Sequence, residues 1–306
     1  MNKIFITRRI PSIAKELLSK DFIVEENPEN KVLSKEKLQE IIKEYDGILS
    51  TVADKLSEDL LNNSKLKVIS NYASGLDNID IPVANKCGIS VYNTPDVVTN
   101  STADMTFALL LSLVRKIHDS HKYVKMGEWF GWDPEIFLGE ELEGKVFGII
   151  GLGKIGKAVA KRAEGFGLKI IFYNRNKTES GYRHVELQYL LENSDYISIH
   201  VPLNNETKNM INKETFERMK KKPILINMAR GAIVNTEDLL FALKSGKIRG
   251  ACLDVTNPEP INSDHPLCSM KNCIITPHIG TSTKECREKM AEIAAKNIIN
   301  HFRIIK

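Results

Sequence analysis

Cysteine is scarce in this chain. The five present (Cys87, Cys252, Cys268, Cys273 and Cys286) form no C-x-x-C pair and no spacing with histidine that suits a metal ligand set. No metal site and no catalytic cysteine is expected; buried free thiols in a reducing cytosol are. Long apolar runs are also missing. The longest, Phe107 to Val114, is interrupted by Ser112 and falls far short of a bilayer span, so no membrane association is expected. At the amino terminus, Ile4-Phe5-Ile6 is followed at once by Thr7-Arg8-Arg9, so no signal peptide is expected and a cytoplasmic location is. Neither sign of charge dominates: 43 basic and 39 acidic residues leave a net +4. That is too weak and too dispersed to suggest nucleic acid as a partner, and the run Lys220-Lys221-Lys222 reads as solvated surface.

What remains is an ordinary globular composition, 42% hydrophobic and 27% charged, in 306 residues, enough for two domains with a core each. No internal repeat and no low-complexity segment stands out. Over the first 95 residues short apolar runs alternate with amphipathic ones. Lys3–Thr7, Ile23–Glu25, Gly47–Thr51, Val68–Ser70 and Ser90–Tyr92 read as strands; Ser12–Ser19, Lys35–Glu44, Glu58–Asn62 and Ile81–Cys87 read as helices. That alternation implies a parallel sheet covered on both faces. Ser101 to about Met126 reads as the longest helix, bridging to an aromatic, turn-rich segment, Gly127-Glu-Trp-Phe-Gly-Trp-Asp-Pro-Glu135, expected to be an exposed arm. A second series of strands follows at Val146–Ile150, Lys169–Tyr173, Tyr196–His200, Ile224–Asn227, Gly250–Asp254 and Cys273–Thr276. Helix Thr236–Ser245 ends at the C-cap glycine Gly246, and a last helix spans Thr283 to Phe302.

The turn between Val146–Ile150 and the helix after it reads Gly151-Leu-Gly153-Lys-Ile-Gly156. A dinucleotide-binding turn needs that order: one glycine for the tight turn, one for approach of a pyrophosphate, one for close helix–strand packing. The free N–H groups at the helix start then face the phosphates. Ligands of open α/β sheets bind at the carboxyl ends of strands. Three successive strand ends carry Arg230, Glu259 and His278.

In that order, Asn71-Tyr-Ala-Ser-Gly-Leu-Asp-Asn-Ile-Asp80, Asn93 through Asp104, the glycine turn, His200-Val-Pro-Leu203, Asn227-Met-Ala-Arg-Gly231, Leu253-Asp254 through Glu259-Pro260, and Thr276-Pro-His-Ile-Gly280 resemble the D-isomer-specific 2-hydroxyacid dehydrogenases over nearly the whole chain. Within that family the wording is most like glyoxylate/hydroxypyruvate reductases. The resemblance implies two doubly wound parallel-sheet α/β domains with a cleft between them. A Rossmann NAD(P)-binding domain, 98–277, would be inserted into a flavodoxin-like substrate-binding domain, 1–97 plus 278–306. It also implies a homodimer through the long helix and the aromatic arm, where Trp132 either packs the arm or caps a substrate pocket.

The implied reaction is reduction of a small 2-oxo acid. It needs a hydride from the nicotinamide, a proton for the carbonyl oxygen and an anchor for the carboxylate. His278 is the expected acid, with Glu259 beside it favouring the imidazolium and fixing the ring. Arg230 offers a rigid donor fork to the substrate. Backbone N–H groups of the Ser74-Gly75-Leu76 loop are expected to hold the substrate carboxylate, with Val52 shaping the pocket. Cofactor contacts are expected from Thr102, Gly151, Gly153, Lys154, Ile155, Gly156, His200, Val201, Pro202, Thr207, Met228, Ala229, Arg230, Asp254 (toward the nicotinamide amide), His278 and Gly280. A fold that prefers NAD places an acidic residue about 20 residues past the glycine turn; this chain has Asn174 there. With Arg175 and Lys177 available to a 2′-phosphate, NADP(H) is the expected preference. The competing possibility is that Asn174 binds a 2′-OH while Arg175 stacks on adenine, giving NAD(H). Two other activities fit: a short 3-phosphoglycerate dehydrogenase, or a dinucleotide-sensing binding protein without catalysis.

Overall fold

Central strands of a parallel sheet are covered on both faces, so they read as continuous apolar runs. Gly47–Ser50, Val68–Asn71, Tyr196–Ile199, Ile224–Asn227 and Gly250–Leu253 are mostly apolar, with Ser50, Ser70, Asn71, Ser198 and Asn227 the polar residues among them, and each is buried at all of its residues. The computed structural model describes residues 1–176 and 179–304, and the chain divides into two compact units, Met1–Val98 with Thr281–Lys306, and Thr99–Gly280. The divisions fall slightly after the expected 97/98 and 277/278, so the turn His278–Gly280 belongs to the second unit.

The first unit contains β1 (Lys3–Ile6), α1 (Ile13–Leu18), β2 (Ile23–Glu26), α2 (Lys35–Glu44), β3 (Gly47–Ser50), α3 (Glu58–Leu61), β4 (Val68–Asn71), α4 (Ile81–Lys86) and β5 (Ser90–Tyr92). Its strands are all parallel, in the order β2-β1-β3-β4-β5. Strand order reverses between β1 and β3, the switch point where doubly wound sheets open to ligands.

In the second unit, α5 (Thr99–Val114) and α6 (Ile117–Lys125) precede β6 (Val146–Ile150), α7 (Lys154–Gly165), β7 (Lys169–Tyr173), β8 (Arg183–His184), α8 (Leu187–Asn193), β9 (Tyr196–Ile199), α9 (Lys213–Glu217), β10 (Ile224–Asn227), α10 (Thr236–Lys244), β11 (Gly250–Leu253) and β12 (Cys273–Ile275). The parallel sheet runs β12-β11-β10-β9-β6-β7-β8, with its switch between β6 and β9. Alternate residues along one strand feed two core layers: Ile197 and Ile199 enter one, Tyr196 the other. The final helix, α11 (Lys284–Ile304), returns to the first unit, packing on α1 and β4; the Tyr72 hydroxyl donates to the Arg287 carbonyl at 2.8 Å.

Three expectations change. The single helix expected over Ser101–Met126 is two helices, broken at Lys116, whose φ of 52° is left-handed. The carbonyl of Val114 accepts the Glu140 N–H, and a Cβ on Gly139 would lie 2.3 Å from that oxygen, so the returning arm closes the end of α5. The longest helix is instead α11. The cysteines are unpaired, but Cys87 and Cys268 are exposed rather than buried, and Cys273 is half-buried. Strand β8 has no counterpart in the sequence reading; two residues are too few to make a periodicity.

Candidate active site

The glycine turn lies at the carboxyl end of β6, at the switch point of the second sheet. Gly151 has φ +97°, and a Cβ there would meet the His200 carbonyl oxygen at 2.7 Å. On Gly156 a Cβ would sit 2.2 Å from the Gly151 oxygen, which is the close helix–strand contact that the third glycine permits. Gly153 is different: a Cβ would meet nothing within 4 Å. It is the N-cap of α7 and brings no side-chain partner to the helix's first N–H groups. These groups border a groove of about 470 Å³, lined by the turn, Lys154, Asn174, His200, Val201 and Pro202. His200 is kept neutral by burial, its pKa lowered to about 3. Its Nε2 lies 2.7 Å from the Ser198 hydroxyl, and its Nδ1 is buried with no hydrogen-bond partner among the described residues. An open glycine, an uncapped helix start and an orphaned ring nitrogen on one groove suit a dinucleotide phosphate and its neighbouring atoms.

At the end of β7 the Asn174 side-chain oxygen accepts the Leu152 N–H at 2.6 Å, tying that strand end to the glycine turn. Arg175 is exposed and forms an ion pair with Glu206. Lys177 lies outside the described residues. The Thr207 hydroxyl donates to the Pro202 carbonyl at 2.7 Å and accepts the Asn204 N–H, which closes the loop after β9.

The carboxyl ends of β10, β11 and β12 bring Arg230, Glu259 and His278 together. His278 Nδ1 and Glu259 Oε1 are 2.6 Å apart. Burial alone would raise the Glu259 pKa, but the His278 hydrogen bond, the charge on His278 and that on Arg230 outweigh it and hold the carboxyl below its ordinary value. The Thr256 N–H donates to the other Glu259 oxygen at 3.3 Å. His278 itself has φ 55°, so its turn must be held from outside. Asp254 does this. Its buried carboxylate accepts the Thr276 hydroxyl at 2.7 Å and the N–H groups of Ile279 and Gly280 at 2.8 and 2.7 Å, and its backbone oxygen accepts the His278 N–H. The carboxylate expected to face the nicotinamide amide is therefore also the anchor of the histidine turn. Gly280 packs closely there: a Cβ would meet Asp254 Oδ2 at 2.9 Å, Met228 Cε at 3.3 Å and Thr102 Cγ2 at 3.7 Å, so four expected cofactor-contact residues converge.

Arg230 is half-buried, and its Nη1 donates to the Ala229 carbonyl at 2.8 Å. The turn carrying it is clamped by buried Asn227, whose side chain donates to the Arg230 carbonyl and accepts the Ala229 N–H. A Cβ on Gly231 would lie 1.9 Å from the Thr256 carbonyl oxygen, so only glycine lets the arginine loop meet the loop that carries Glu259. Asn227, Gly231 and Thr276 were not singled out from sequence. The signal was present, since all three stand inside the motif segments, but nothing in a sequence says which neighbour a carboxamide or a glycine will meet.

In the first unit, Ser74, Gly75 and Leu76 follow β4, and Val52 follows β3. Asn71 and Asn78 hold these loops. Asn71 donates to the Gly75 carbonyl and to Asn78 Oδ1, both at 3.0 Å, while Asn78 donates to the carbonyls of Thr51 and Asp54. Buried Asp54 accepts the Thr7 hydroxyl at 2.6 Å and the Thr51 N–H at 2.7 Å, joining the ends of β1 and β3 at the switch point.

Residues 107–280 match the family model described as D-isomer specific 2-hydroxyacid dehydrogenase, NAD binding domain. The chain is similar to the glyoxylate reductase of Thermococcus litoralis, 47% identical over 97% of this chain and 92% of that protein. Among solved structures it is similar to the TT0316 protein of Thermus thermophilus, with a TM-score of 0.93 and 38% identity over 98% of this chain and 97% of that one. It is also similar to an NADPH-dependent glyoxylate/hydroxypyruvate reductase of Sinorhizobium meliloti in complex with NADP and malonate, with a TM-score of 0.87 and 29% identity over 98% and 93% of the two chains.

Proposed function

The chain belongs to the D-isomer specific 2-hydroxyacid dehydrogenase family, and on that footing we propose that it reduces a small 2-oxo acid of the glyoxylate or hydroxypyruvate type to the D-2-hydroxy acid, with NADP(H) preferred over NAD(H). The observation that carries this reading is the His278–Glu259 hydrogen bond beside Arg230, on the same sheet edge as the glycine turn. A nicotinamide cofactor held by the glycine turn and the groove residues Asn174, His200, Val201 and Pro202 would supply the hydride that the carbonyl carbon needs. His278 holds its Nδ1 proton toward Glu259 and delivers the Nε2 proton to the carbonyl oxygen, so hydride and proton together give the hydroxy acid. The Arg230 guanidinium binds the carboxylate and polarises the carbonyl. In the first unit, the backbone N–H groups of Ser74, Gly75 and Leu76 are assigned to a substrate carboxylate on the family resemblance. The NADP(H) preference is supported by the absence of an acidic side chain at Asn174 and by the guanidinium of Arg175 next to it.

We also assign the protein to the cytosol, in keeping with five unpaired cysteines, and to a homodimer formed through α5 and the aromatic arm. Among the described residues no helix is long and apolar enough to cross a membrane.

The test is a panel of 2-oxo acids (glyoxylate, hydroxypyruvate, pyruvate, 2-ketogluconate) with NADPH and with NADH. Turnover of glyoxylate or hydroxypyruvate with a higher kcat/KM for NADPH is expected. Binding of NADPH without turnover of any acid would overturn catalysis in favour of a dinucleotide sensor. A tenfold preference for NADH would overturn the cofactor assignment alone.

A further inference from the structure

Arg175 directly follows Asn174, which lines the groove, and its side chain is already paired. Its Nη1 donates to the carboxylate of Glu206, a residue 31 positions later, in the loop after β9. Asn204 fixes the backbone of that loop: its side-chain oxygen accepts the N–H groups of Glu206 and Thr207 at 2.9 and 3.0 Å. Both partners of the ion pair are largely solvent-exposed, with side chains 68% and 65% accessible. The end of β7 carries no acidic side chain of its own at Asn174; the carboxylate beside Arg175 comes from the loop after β9.

We propose that Glu206 is a specificity-determining residue that weakens binding of a 2′-phosphorylated adenosine by holding Arg175 as its counter-ion. This rests on the reading that the groove takes a dinucleotide with its adenosine ribose toward Asn174 and Arg175. A 2′-phosphate has two ways to reach the guanidinium, and both are opposed. It can displace the Glu206 carboxylate and break a charged hydrogen bond, or it can share the fork and sit close to a like charge. A ribose carrying a free 2′-OH meets neither cost. Discrimination between the two cofactors is therefore set by a balance between Arg175 and Glu206, and not by the residue at the end of β7 alone.

The probes are adenosine 2′,5′-bisphosphate and adenosine 5′-monophosphate, titrated calorimetrically into the full-length protein. Glu206→Gln, an exposed and nearly isosteric change, is expected to tighten the bisphosphate by roughly three- to tenfold at low ionic strength and to leave the monophosphate unchanged. The gain should shrink in high salt, as a screened surface interaction must. It should vanish in the double variant Glu206→Gln/Arg175→Ala. An unchanged bisphosphate affinity, or equal changes for both ligands, would overturn the proposal, as would a gain that persists without Arg175. If the wild-type protein binds neither ligand, the reading of the groove itself falls, and this proposal with it. Binding of both ligands without a response to Glu206→Gln removes only the proposal.

Discussion

His278 combines a left-handed backbone with a carboxylate partner on Nδ1, and its Nε2 is the atom proposed to deliver the proton, so its substitutions separate chemistry from structure. His278→Gln keeps a polar side chain on the turn and is expected to lower kcat by about 10²- to 10⁴-fold, the range for a general acid, with cofactor binding largely retained. Steady-state kinetics together with NADPH titration check this; a near-normal kcat removes His278 from the mechanism. His200 makes a different prediction. Its pKa falls from 6.5 to about 3 because the ring is buried. The unfolded chain takes up a proton below about 6.5 and the folded one does not until about 3, so this group favours unfolding progressively as pH drops through that window. His200→Asn should therefore show a shallower loss of unfolding free energy between those values, measured by urea titration at several pH values without cofactor. An unaltered slope would mean that the ring is hydrated in the folded protein. Glu259 runs in the same direction for the opposite chemical reason. Its folded pKa is depressed, so its stabilising contribution is present above the ordinary carboxylate value and disappears as pH falls through the lower, folded one.

Elements matter here through the loops that they bring together. The loop after β10 carries Arg230 and the loop after β11 carries Glu259, and they touch at Gly231, where a Cβ would strike backbone at 1.9 Å. Backbone on both sides cannot yield by a rotamer change, so Gly231→Ala must move one loop. Circular dichroism should show an intact fold with a lowered Tm, while kcat falls because the loops carrying Arg230 and Glu259 are displaced from each other; normal kinetics would show that the two loops move freely. In the first unit, Asn78→Ala strips donors from the carbonyls of Thr51 and Asp54 and an acceptor from Asn71. Unsatisfied buried acceptors cost about 1–3 kcal/mol. Urea denaturation should register that loss, and the KM for the 2-oxo acid should rise more than kcat falls, because the affected loop is the one assigned to the substrate carboxylate. The break between α5 and α6 belongs to this scale as well. Residues 101–126 carry one helical rhythm, yet α5 is buried over much of its length and α6 has no buried residue.

For the molecule as a whole, the arm after α6 is the feature that the single chain leaves unexplained. Trp129, Phe130 and Trp132 are 61%, 95% and 86% exposed, more aromatic surface than a monomer usually leaves in water. Light scattering after gel filtration should give twice the mass of one chain, and Phe130→Ser/Trp132→Ser should shift the protein toward monomer; a monomeric wild type rejects the dimer assignment. Much of the architecture was legible in the chain itself. Short apolar runs marked most strands, because a strand buried on both faces is predominantly apolar. The glycine turn announced its neighbours, because only glycine accepts a φ of +97° or a 2.2 Å approach. The arginine, carboxylate and histidine could be named, because they follow three strand ends and parallel strands place their carboxyl ends on one edge. Tertiary structure alone decided the pairings: that Asp254 anchors the His278 turn, that Asn174 binds the glycine turn, and that Glu206 reaches Arg175. Each joins residues from different strand ends, and the position of one strand end beside another is a property of the folded sheet, not of the spacing along the chain.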